Sequence, residues 1–279
     1  MAQASGPRGR SVISKAIAVL EAFRRRSREL SLNQLAAETG LPLSTVFRIT
    51  NELVAAGVLE RAAGGGYRVG LRAWEIGARA DPATSMYQVV VPFMQDLYEV
   101  THENVQLAIL DHHDALYIEK IYGSRSARIR NSRGGRLPLH CTGAGKLLLA
   151  HAPQELADEL IRDGLKAYTP HTITTPERLN RTLRDIRRTG IAYQREEMDV
   201  GLMSVAAPVT DATGTVVSAL SVVFRSSPST LHHVAPAVRT AAASASRELR
   251  EYNVRGVNVE QMVQLSDSWN GQQHDKPTP

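Results

Sequence analysis

Apolar positions in the first third of the chain recur three or four residues apart, which predicts short amphipathic helices. The first stripe, in a helix that starts near Ser11, consists of Ile13, Ile17, Leu20 and Phe23. Two more helices are predicted over residues 31–40 and 44–57, the second with a stripe of Val46, Ile49, Leu53 and Val54. Two short helices joined at a Gly-Leu-Pro turn are typical of the helix-turn-helix motif.

Polar residues and glycines mark the ends of these two helices. Ser31 is the predicted N-cap of the first, Gln34 completes a capping box, and Gly40 ends the helix. Pro42 cannot lie inside a helix, so the next helix starts after it, with Ser44 as its predicted N-cap.

The pattern changes to short β-type runs after residue 57. The runs VLER and YRVG flank a glycine-rich stretch, which predicts a β-hairpin. A glycine-rich hairpin after a helix-turn-helix predicts a wing. Helical spacing then returns over residues 71–80 and indicates a helix that links two domains.

The second half alternates between helical and strand patterns. Helices are predicted over 85–100, at the end of a glycine-punctuated segment 136–152, and over 153–164, 175–190 and 229–252. Strands are predicted in NVQLAILD, ALYIEKIYG, GIAYQREE, LMSVAAPVTD and TVVSALSVVF. Strands flanked by helices, with a hairpin near the end, favour an α+β fold with an antiparallel sheet.

These patterns divide the 279 residues into five segments. We expect a flexible arm over 1–10, a winged helix-turn-helix domain over 11–70, a linker helix over 71–84, an α+β domain over 85–252 and a polar tail over 253–279. The single cysteine, Cys141, excludes a disulfide framework. No apolar run approaches the ~18 residues of a membrane span, and the N-terminus lacks the apolar stretch of a secretory signal. We therefore expect a cytoplasmic protein with no membrane contact.

Positive charge is concentrated in the first third of the chain. Residues 1–80 carry 12 Lys and Arg against 6 Asp and Glu, whereas the remaining residues carry 21 against 22. A small basic segment attached to a nearly neutral body favours a polyanionic partner. A solvated basic surface without a partner is the alternative.

The third helix presents polar and basic residues on the side opposite its apolar stripe. These residue types contact phosphates, base edges and thymine methyl groups in the major groove of double-stranded DNA. The predicted contact residues are Ser44, Thr45, Phe47, Arg48 and Asn51. Arg48 is the best candidate for a bidentate contact to guanine, and Arg68 in the wing and Arg8 and Arg10 in the arm are predicted to contact phosphate or the minor groove. Winged helices also bind proteins, so a protein-interaction adaptor is an alternative.

The second domain carries no recognisable catalytic or metal-binding pattern. The segment TGAGKLLL departs from a phosphate-binding loop, because His140 stands where glycine is needed and Leu147 where serine or threonine is needed. Cys141 and its neighbour His140 would point to opposite sides of a strand, which argues against a Cys-His nucleophile. The pairs His112-His113 and His232-His233 lack the spacing of a helical metal site. We therefore predict no enzyme, no metal and no cofactor.

Small and hydroxyl-bearing residues predict a binding pocket instead. Gly143, Ala144 and Gly145 precede a helix, and their backbone N–H groups could bind an anion at its positive end. Ser204 and Ser221 lie on two strands of one predicted hairpin and could both bond a carboxylate. The acidic run Glu196, Glu197 and Asp199 is interpreted as a solvated strand edge.

Long segments of both halves resemble one protein family. The runs SVISKAIAVLEAF, LSLNQLAAETGLPLSTVFRITNELVAAGVLER and GYRVGLRAWEIG closely resemble the N-terminal domain of the isocitrate lyase regulator (IclR) family of bacterial transcription factors. The likeness continues through GRLPLHCTGAGKLLLA and RRTGIAYQREEMDVGLMSVAAPVTDATGTVVSALSVV, and so spans about residues 11–250. It implies a winged helix-turn-helix joined by a helix to a GAF-like effector-binding domain. It also implies a homodimer or homotetramer on pseudo-palindromic promoter DNA.

The resemblance also implies where an effector binds. The matching positions are Ile129, Leu137, Gly143, Ala144, Gln194, Ser204, Ser221 and Val223. Small-acid sensors of the family tend to have an acidic residue at the position of Gln194, a cysteine at Ser204 and a second serine at Val223. The pocket is therefore expected to be less acidic and more apolar, and to suit an organic acid larger than glyoxylate, aromatic acids included. The Gly143–Ala144 amides and Ser221 are expected to hold its carboxylate.

These observations predict a ligand-responsive transcriptional regulator of a catabolic operon. Repressor is the commoner role in the family, and an activator of the same architecture is the alternative. An enzyme with a regulatory N-terminal domain would need convergent titratable groups, whereas the predicted pocket holds mostly serine, glycine and aliphatic residues.

Overall fold

The computed structural model describes residues 11–24, 29–77, 81–124, 126–127, 129 and 133–253. The chain forms two compact units, which divide between Asp81 and Pro82. Three clusters of buried apolar residues build their cores, one in the first unit and two in the second. The predicted arm, residues 1–10, and residues 254–279 of the predicted tail lie outside the described residues.

The first unit is a winged helix-turn-helix, as the sequence predicts. Its helices are α1 (Val12–Glu21, followed by a 3-10 turn over Ala22–Arg24), α2 (Leu32–Thr39), α3 (Leu43–Ala55) and α4 (Leu71–Gly77). The wing is an antiparallel hairpin of β1 (Leu59–Arg61) and β2 (Tyr67–Val69). Leu30 pairs with Tyr67 through two backbone hydrogen bonds of 2.8 and 2.9 Å, which fix the wing to the segment before α2.

The helix caps confirm one prediction and correct another. The Ser31 N–H donates to Gln34 Oε1 over 2.8 Å, the Gln34 N–H donates to Ser31 Oγ, and Gly40 ends α2 with a φ of 65°. The N-cap of α3, however, is Pro42, so the prediction of Ser44 as N-cap is wrong. Pro42 is fixed in an extended conformation and its carbonyl accepts the first helical bond, from the Val46 N–H over 3.0 Å. Ser44 therefore lies within the first turn of the helix.

The second unit is an α+β domain around one antiparallel sheet. Its strands are β3 (Asn104–Asp111), β4 (Asp114–Ile121), β5 (Arg136–Pro138), β6 (Ala192–Arg195), β7 (Leu202–Thr210) and β8 (Val216–Arg225). They lie in the order β5-β4-β3-β8-β7-β6. Its helices are α5 (Asp81–Thr101), α6 (Gly143–His151), α7 (Gln154–Asp163), α8 (Pro176–Thr189) and α9 (Pro228–Glu251). Helix α5 thus begins four residues before the predicted 85–100.

The two faces of this sheet carry different side chains. Large apolar residues such as Leu107, Val205 and Phe224 pack on one face against α5 and α9. Alanines on the opposite face, among them Ala108 and Ala206, lie beneath α6, which their small size lets approach the sheet closely. Across the described residues, no helix combines the length and the apolar character that crossing a bilayer requires.

Candidate DNA-binding surface and ligand cavity

Helix α3 exposes the residues that the sequence predicts to contact DNA. Ser44, Phe47 and Arg48 are exposed, with 48% of Phe47 accessible to solvent, and Thr45 and Asn51 are half-buried. The opposite side of the helix is anchored in the core by Val46, Ile49 and Thr50. An exposed polar face on a helix held by the core is the arrangement that docking in a major groove requires.

The wing holds its predicted cation in an ion pair. The Arg68 guanidinium contacts Glu60 Oε2 through Nε at 2.9 Å and Nη2 at 2.8 Å. The Glu60 carboxylate also accepts a hydrogen bond from the Leu71 N–H. The Arg68 and Leu71 bonds lower the pKa of Glu60, in that order of importance. A phosphate contact by Arg68 would therefore use the guanidinium N–H groups that do not face Glu60, or would replace the Glu60 bonds.

A second wing cation, Arg61, contacts the predicted recognition helix directly. Its Nη2 donates to Asn51 Oδ1 over 2.9 Å, and its guanidinium lies 5.3 Å from the centre of the Tyr67 ring. Sequence reasoning missed Arg61, although its position at the end of the first wing strand was a usable signal. An adenine contact by Asn51 uses that same oxygen, which can accept two hydrogen bonds, so Arg61 would share it with the base. Arg8 and Arg10 lie outside the described residues.

A cavity of about 50 Å³ lies in the second unit, beside the N-terminus of α6. Seven of the eight residues expected from the family resemblance line it, namely Ile129, Leu137, Ala144, Gln194, Ser204, Ser221 and Val223. Sequence reasoning did not single out the other lining residues for binding; they are Gln106, Tyr117, Thr142, Met198, Asp199 and Leu202. Asp199 is the charged member of this lining, in which the described residues include no lysine or arginine.

Strand register explains why residues distant in sequence meet in this cavity. Ser204 pairs with Gln194 on one side and Val223 on the other, which places these three side chains in one row across the sheet. Ser221 pairs with Gln106 in the next row on the same face. Because side chains alternate between faces along a strand, both rows point towards α6.

The start of α6 closes one side of the cavity with backbone rather than side chains. Thr142 is the N-cap, and its Oγ1 accepts a hydrogen bond from the Gly145 N–H over 3.0 Å. Gly143, the eighth expected residue, lies against Ser204, since a Cβ atom there would be only 2.6 Å from Ser204 Oγ. The first N–H groups of a helix have no partner within it, so the start of α6 can bind an anion.

A buried ion pair lies beside the cavity and corrects the interpretation of the acidic run. Lys146 Nζ lies 2.5 and 2.6 Å from the two carboxylate oxygens of Glu197, and these residues are 1% and 6% exposed. Glu197 is therefore not part of a solvated strand edge. Burial lowers the pKa of Lys146 by more than the attraction of Glu197 raises it. Because Glu197 occupies its ammonium group, Lys146 is not placed to bind a phosphate.

The structure also shows the surroundings of Cys141 and of the histidine pair on α9. Cys141 is buried, and burial, as the largest cause, raises the pKa of its thiol to about 12, which keeps it protonated and unreactive. His232 and His233 are exposed on α9. Among the described residues, no three His, Cys, Asp or Glu side chains gather as metal ligands.

Comparison with known proteins gives the same assignment for both units. Residues 12–63 match the IclR helix-turn-helix domain, and residues 83–247 match the C-terminal domain of the bacterial transcriptional regulator IclR. The HTH-type transcriptional repressor AllR of Klebsiella pneumoniae is 33% identical, over 78% of this chain and 81% of its own. The transcriptional repressor IclR of Escherichia coli K12 is 30% identical, over 71% of this chain and 74% of its own.

A solved structure matches both units as well. An IclR homolog from Microbacterium hydrocarbonoxydans, complexed with 4-hydroxybenzoate, has a TM-score of 0.79 and 30% identity, over 86% of this chain and all of that one.

A winged helix-turn-helix followed by an α+β domain defines the class of DNA-binding transcriptional regulators with two domains. The chain belongs to the IclR family of bacterial transcriptional regulators. It is therefore a regulator of transcription rather than an enzyme, and its relatives AllR and IclR are repressors.

Proposed function

We propose that this regulator is a repressor of a catabolic operon and that an organic acid in the α6 cavity controls its affinity for promoter DNA. The observation that carries the proposal is the cavity itself. Its lining brings together hydroxyl groups, apolar walls and the positive end of a helix. A carboxylate at the Gly143–Ala144 amides and Ser221 would be bound by neutral donors and the helix dipole.

The character of the lining favours an acid with an apolar body. Leu137, Ile129 and Val223 contribute apolar wall. By the family resemblance, small-acid sensors tend to have an acidic residue where this chain has the neutral Gln194. The similar protein from Microbacterium hydrocarbonoxydans was solved with 4-hydroxybenzoate. An aromatic acid of that kind is therefore the first class to test.

On the DNA side, we propose that α3 enters the major groove of each half of a pseudo-palindromic operator. Ser44, Thr45, Phe47, Arg48 and Asn51 would contact DNA there, with Arg68 at the backbone. Two half-sites require a homodimer or a homotetramer, because each chain supplies a single recognition helix. A regulator of promoter DNA acts where the chromosome is, so a cytoplasmic location belongs to this proposal.

The ligand acts, in this proposal, by binding two arrangements of the protein unequally. The linker over 71–84 would transmit the difference and change the spacing of the two recognition helices. A ligand that tightens DNA binding would make the protein an activator, which is the second candidate. A protein-interaction adaptor would show no specific DNA binding.

A gel-shift assay on the DNA upstream of the protein's own gene tests the proposal. We expect specific binding that weakens steeply with salt, because phosphate contacts release counterions. Hydroxybenzoates should release the wild-type protein from this DNA. Ser221→Ala should bind the DNA as well as wild type but respond less to the acid. Weak, sequence-independent binding would overturn the proposed DNA site, and stabilisation by sugars or amines alone would overturn the acid site.

A further inference from the structure

We infer that Gln106 is a specificity-determining residue of the α6 cavity, whose side-chain amide donates a hydrogen bond to a second polar group on the ligand. The inference rests on the proposed acid site and extends it. The effector would then be an organic acid that carries a hydrogen-bond acceptor, such as a hydroxyl or carbonyl oxygen, apart from its carboxylate.

The side-chain amide nitrogen of Gln106 is buried without a hydrogen-bond partner among the described residues. The whole residue is only 2% exposed. Buried polar groups are almost always bonded, because an unpaired donor loses its bonds to water without replacement. Gln106 also lines the cavity. A ligand acceptor in the cavity is the missing partner that this arrangement calls for.

Gln106 lies across the sheet from the proposed carboxylate site. Gln106 on β3 pairs with Ser221 on β8, and Ser204 lies one strand further, on β7 beside Gly143. The residue of β7 in the same row as Gln106 is Ala206, and Ser204 lies two positions from it along the strand. With neighbouring strands about 4.8 Å apart and a rise of about 3.3 Å per residue, Gln106 and Ser204 stand roughly 12 Å apart on the sheet. A ligand that spans the two points needs polar groups at both ends and a body between them. A hydroxybenzoate bonded at each end has about this length.

The rest of the cavity lining includes apolar side chains and a carboxylate. Leu137, Ile129 and Val223 give the cavity apolar walls, which suit a ring. Asp199 also lines the cavity, and its carboxylate can only accept a hydrogen bond when ionised. A ligand hydroxyl could therefore bond Asp199 instead, whereas a formyl oxygen, which only accepts, could bond Gln106 but not Asp199.

Matched pairs of acids test the inference by calorimetry on the full chain. The probes are 3- and 4-hydroxybenzoate, the formylbenzoates and the toluates, in which a methyl group replaces the hydroxyl. We expect wild type to prefer the hydroxy or formyl acid over the toluate by about tenfold or more, because the toluate leaves the amide unpaired. Gln106→Leu should lose this preference or reverse it. Gln95→Leu, on the exposed side of α5, is the matched control and should behave as wild type.

The outcomes separate this inference from the proposed function. If the acids bind but wild type and Gln106→Leu show the same preference, the acid site stands and the role of Gln106 is overturned. A preference for hydroxy acids without one for formyl acids assigns the second contact to Asp199 and also overturns it. If none of these acids binds wild type, the acid site and this inference fall together.

The melting temperature of the ligand-free protein distinguishes a binding role from a structural one. If the Gln106 side chain stabilised the fold, replacing it would lower the melting temperature markedly. If its buried amide is unpaired in the ligand-free protein, replacing it should not lower that temperature, so Gln106→Leu is expected to melt at or above the wild-type temperature. A large decrease in both Gln106→Leu and Gln106→Met would overturn the inference.

Discussion

Lys146 and Glu197 illustrate how a single pair of buried charges can stabilise one arrangement of a site. The two residues come from α6 and from the loop after β6, and both are almost fully buried. The same loop supplies Met198 and Asp199 to the cavity lining. The ion pair therefore fixes one wall of the cavity relative to the helix that the ligand is proposed to contact.

Breaking this pair from one side should destabilise the protein strongly. Lys146→Met leaves the Glu197 carboxylate buried without its partner, which is expected to cost about 3–5 kcal/mol in the free energy of unfolding. Urea denaturation followed by circular dichroism measures this change. The double variant Lys146→Met/Glu197→Gln removes the charge as well and should recover much of the loss. A single variant as stable as wild type would show that the pair contributes little.

Arg48 is the residue on which the DNA proposal depends most directly. Arg48→Ala should weaken binding to the operator by about 1–3 kcal/mol and relax specificity at one base pair, because a bidentate guanine contact is lost. Selection from a random DNA pool measures both effects. Arg184→Ala, which removes an exposed arginine of α8, is the matched control. An equal loss on all sequences would mean that Arg48 contacts only phosphate.

Residue-level prediction worked where a local pattern determines the contact, and it failed where a distant partner does. Ser31 and Gln34 are three residues apart, and their capping box forms as predicted. Glu197 was misinterpreted because its partner Lys146 is 51 positions away in the chain. Gln106 gave no functional signal, since a polar residue between apolar neighbours in a strand is also typical of a solvent-exposed face.

At the scale of elements, the close contact between α6 and β7 places the start of the helix against the sheet. Gly143 lets the first turn of α6 approach Ser204, because any Cβ there would lie 2.6 Å from Ser204 Oγ. The N-terminus of α6 thus faces the sheet where its hydroxyl-bearing residues lie. The proposed carboxylate site depends on this close packing.

Adding one methyl group at this contact should disturb the site without unfolding the first unit. Gly143→Ala is expected to force Ser204 aside, at a cost of about 1–3 kcal/mol, and to weaken acid binding. Calorimetry with hydroxybenzoates measures the affinity, and a gel shift without acid should be unchanged. Gly143→Ala/Ser204→Ala removes the clashing oxygen and should regain stability. Undiminished acid affinity in the single variant would argue against a site at Gly143.

Most elements were predictable because their ends are marked locally. Pro176 and Gly190 bound α8 as the sequence predicts, with Gly190 in the left-handed conformation at a φ of 68°. The N-cap of α3 was displaced by two residues, from the predicted Ser44 to Pro42, because the rigid Pro42 caps the helix without a side-chain bond. The strand order, in contrast, depends on pairings such as β3 with β8, more than 100 residues apart, and periodicity carries no information about these.

At the scale of the whole molecule, the proposal couples two binding sites in separate units. If an acid weakens DNA binding, thermodynamic linkage requires DNA to weaken acid binding by the same factor. We expect a factor of about 5–150, which corresponds to a coupling of 1–3 kcal/mol. Acid affinity measured by calorimetry with and without operator DNA gives this factor. Equal affinities would mean that the cavity does not control the DNA-binding domain.

The two faces of the sheet in the second unit have different roles, core packing on one and the cavity on the other. Residues at alternate positions of β3, β7 and β8 either build the core against α5 and α9 or face α6, where some line the cavity and alanines such as Ala108 and Ala206 pack beneath the helix. A substitution on the cavity side therefore leaves the packing of the other side largely intact. Descendants of one ancestral regulator could therefore evolve affinity for new inducers through a few substitutions on the cavity side of the sheet. The packing on the other face would keep the fold stable.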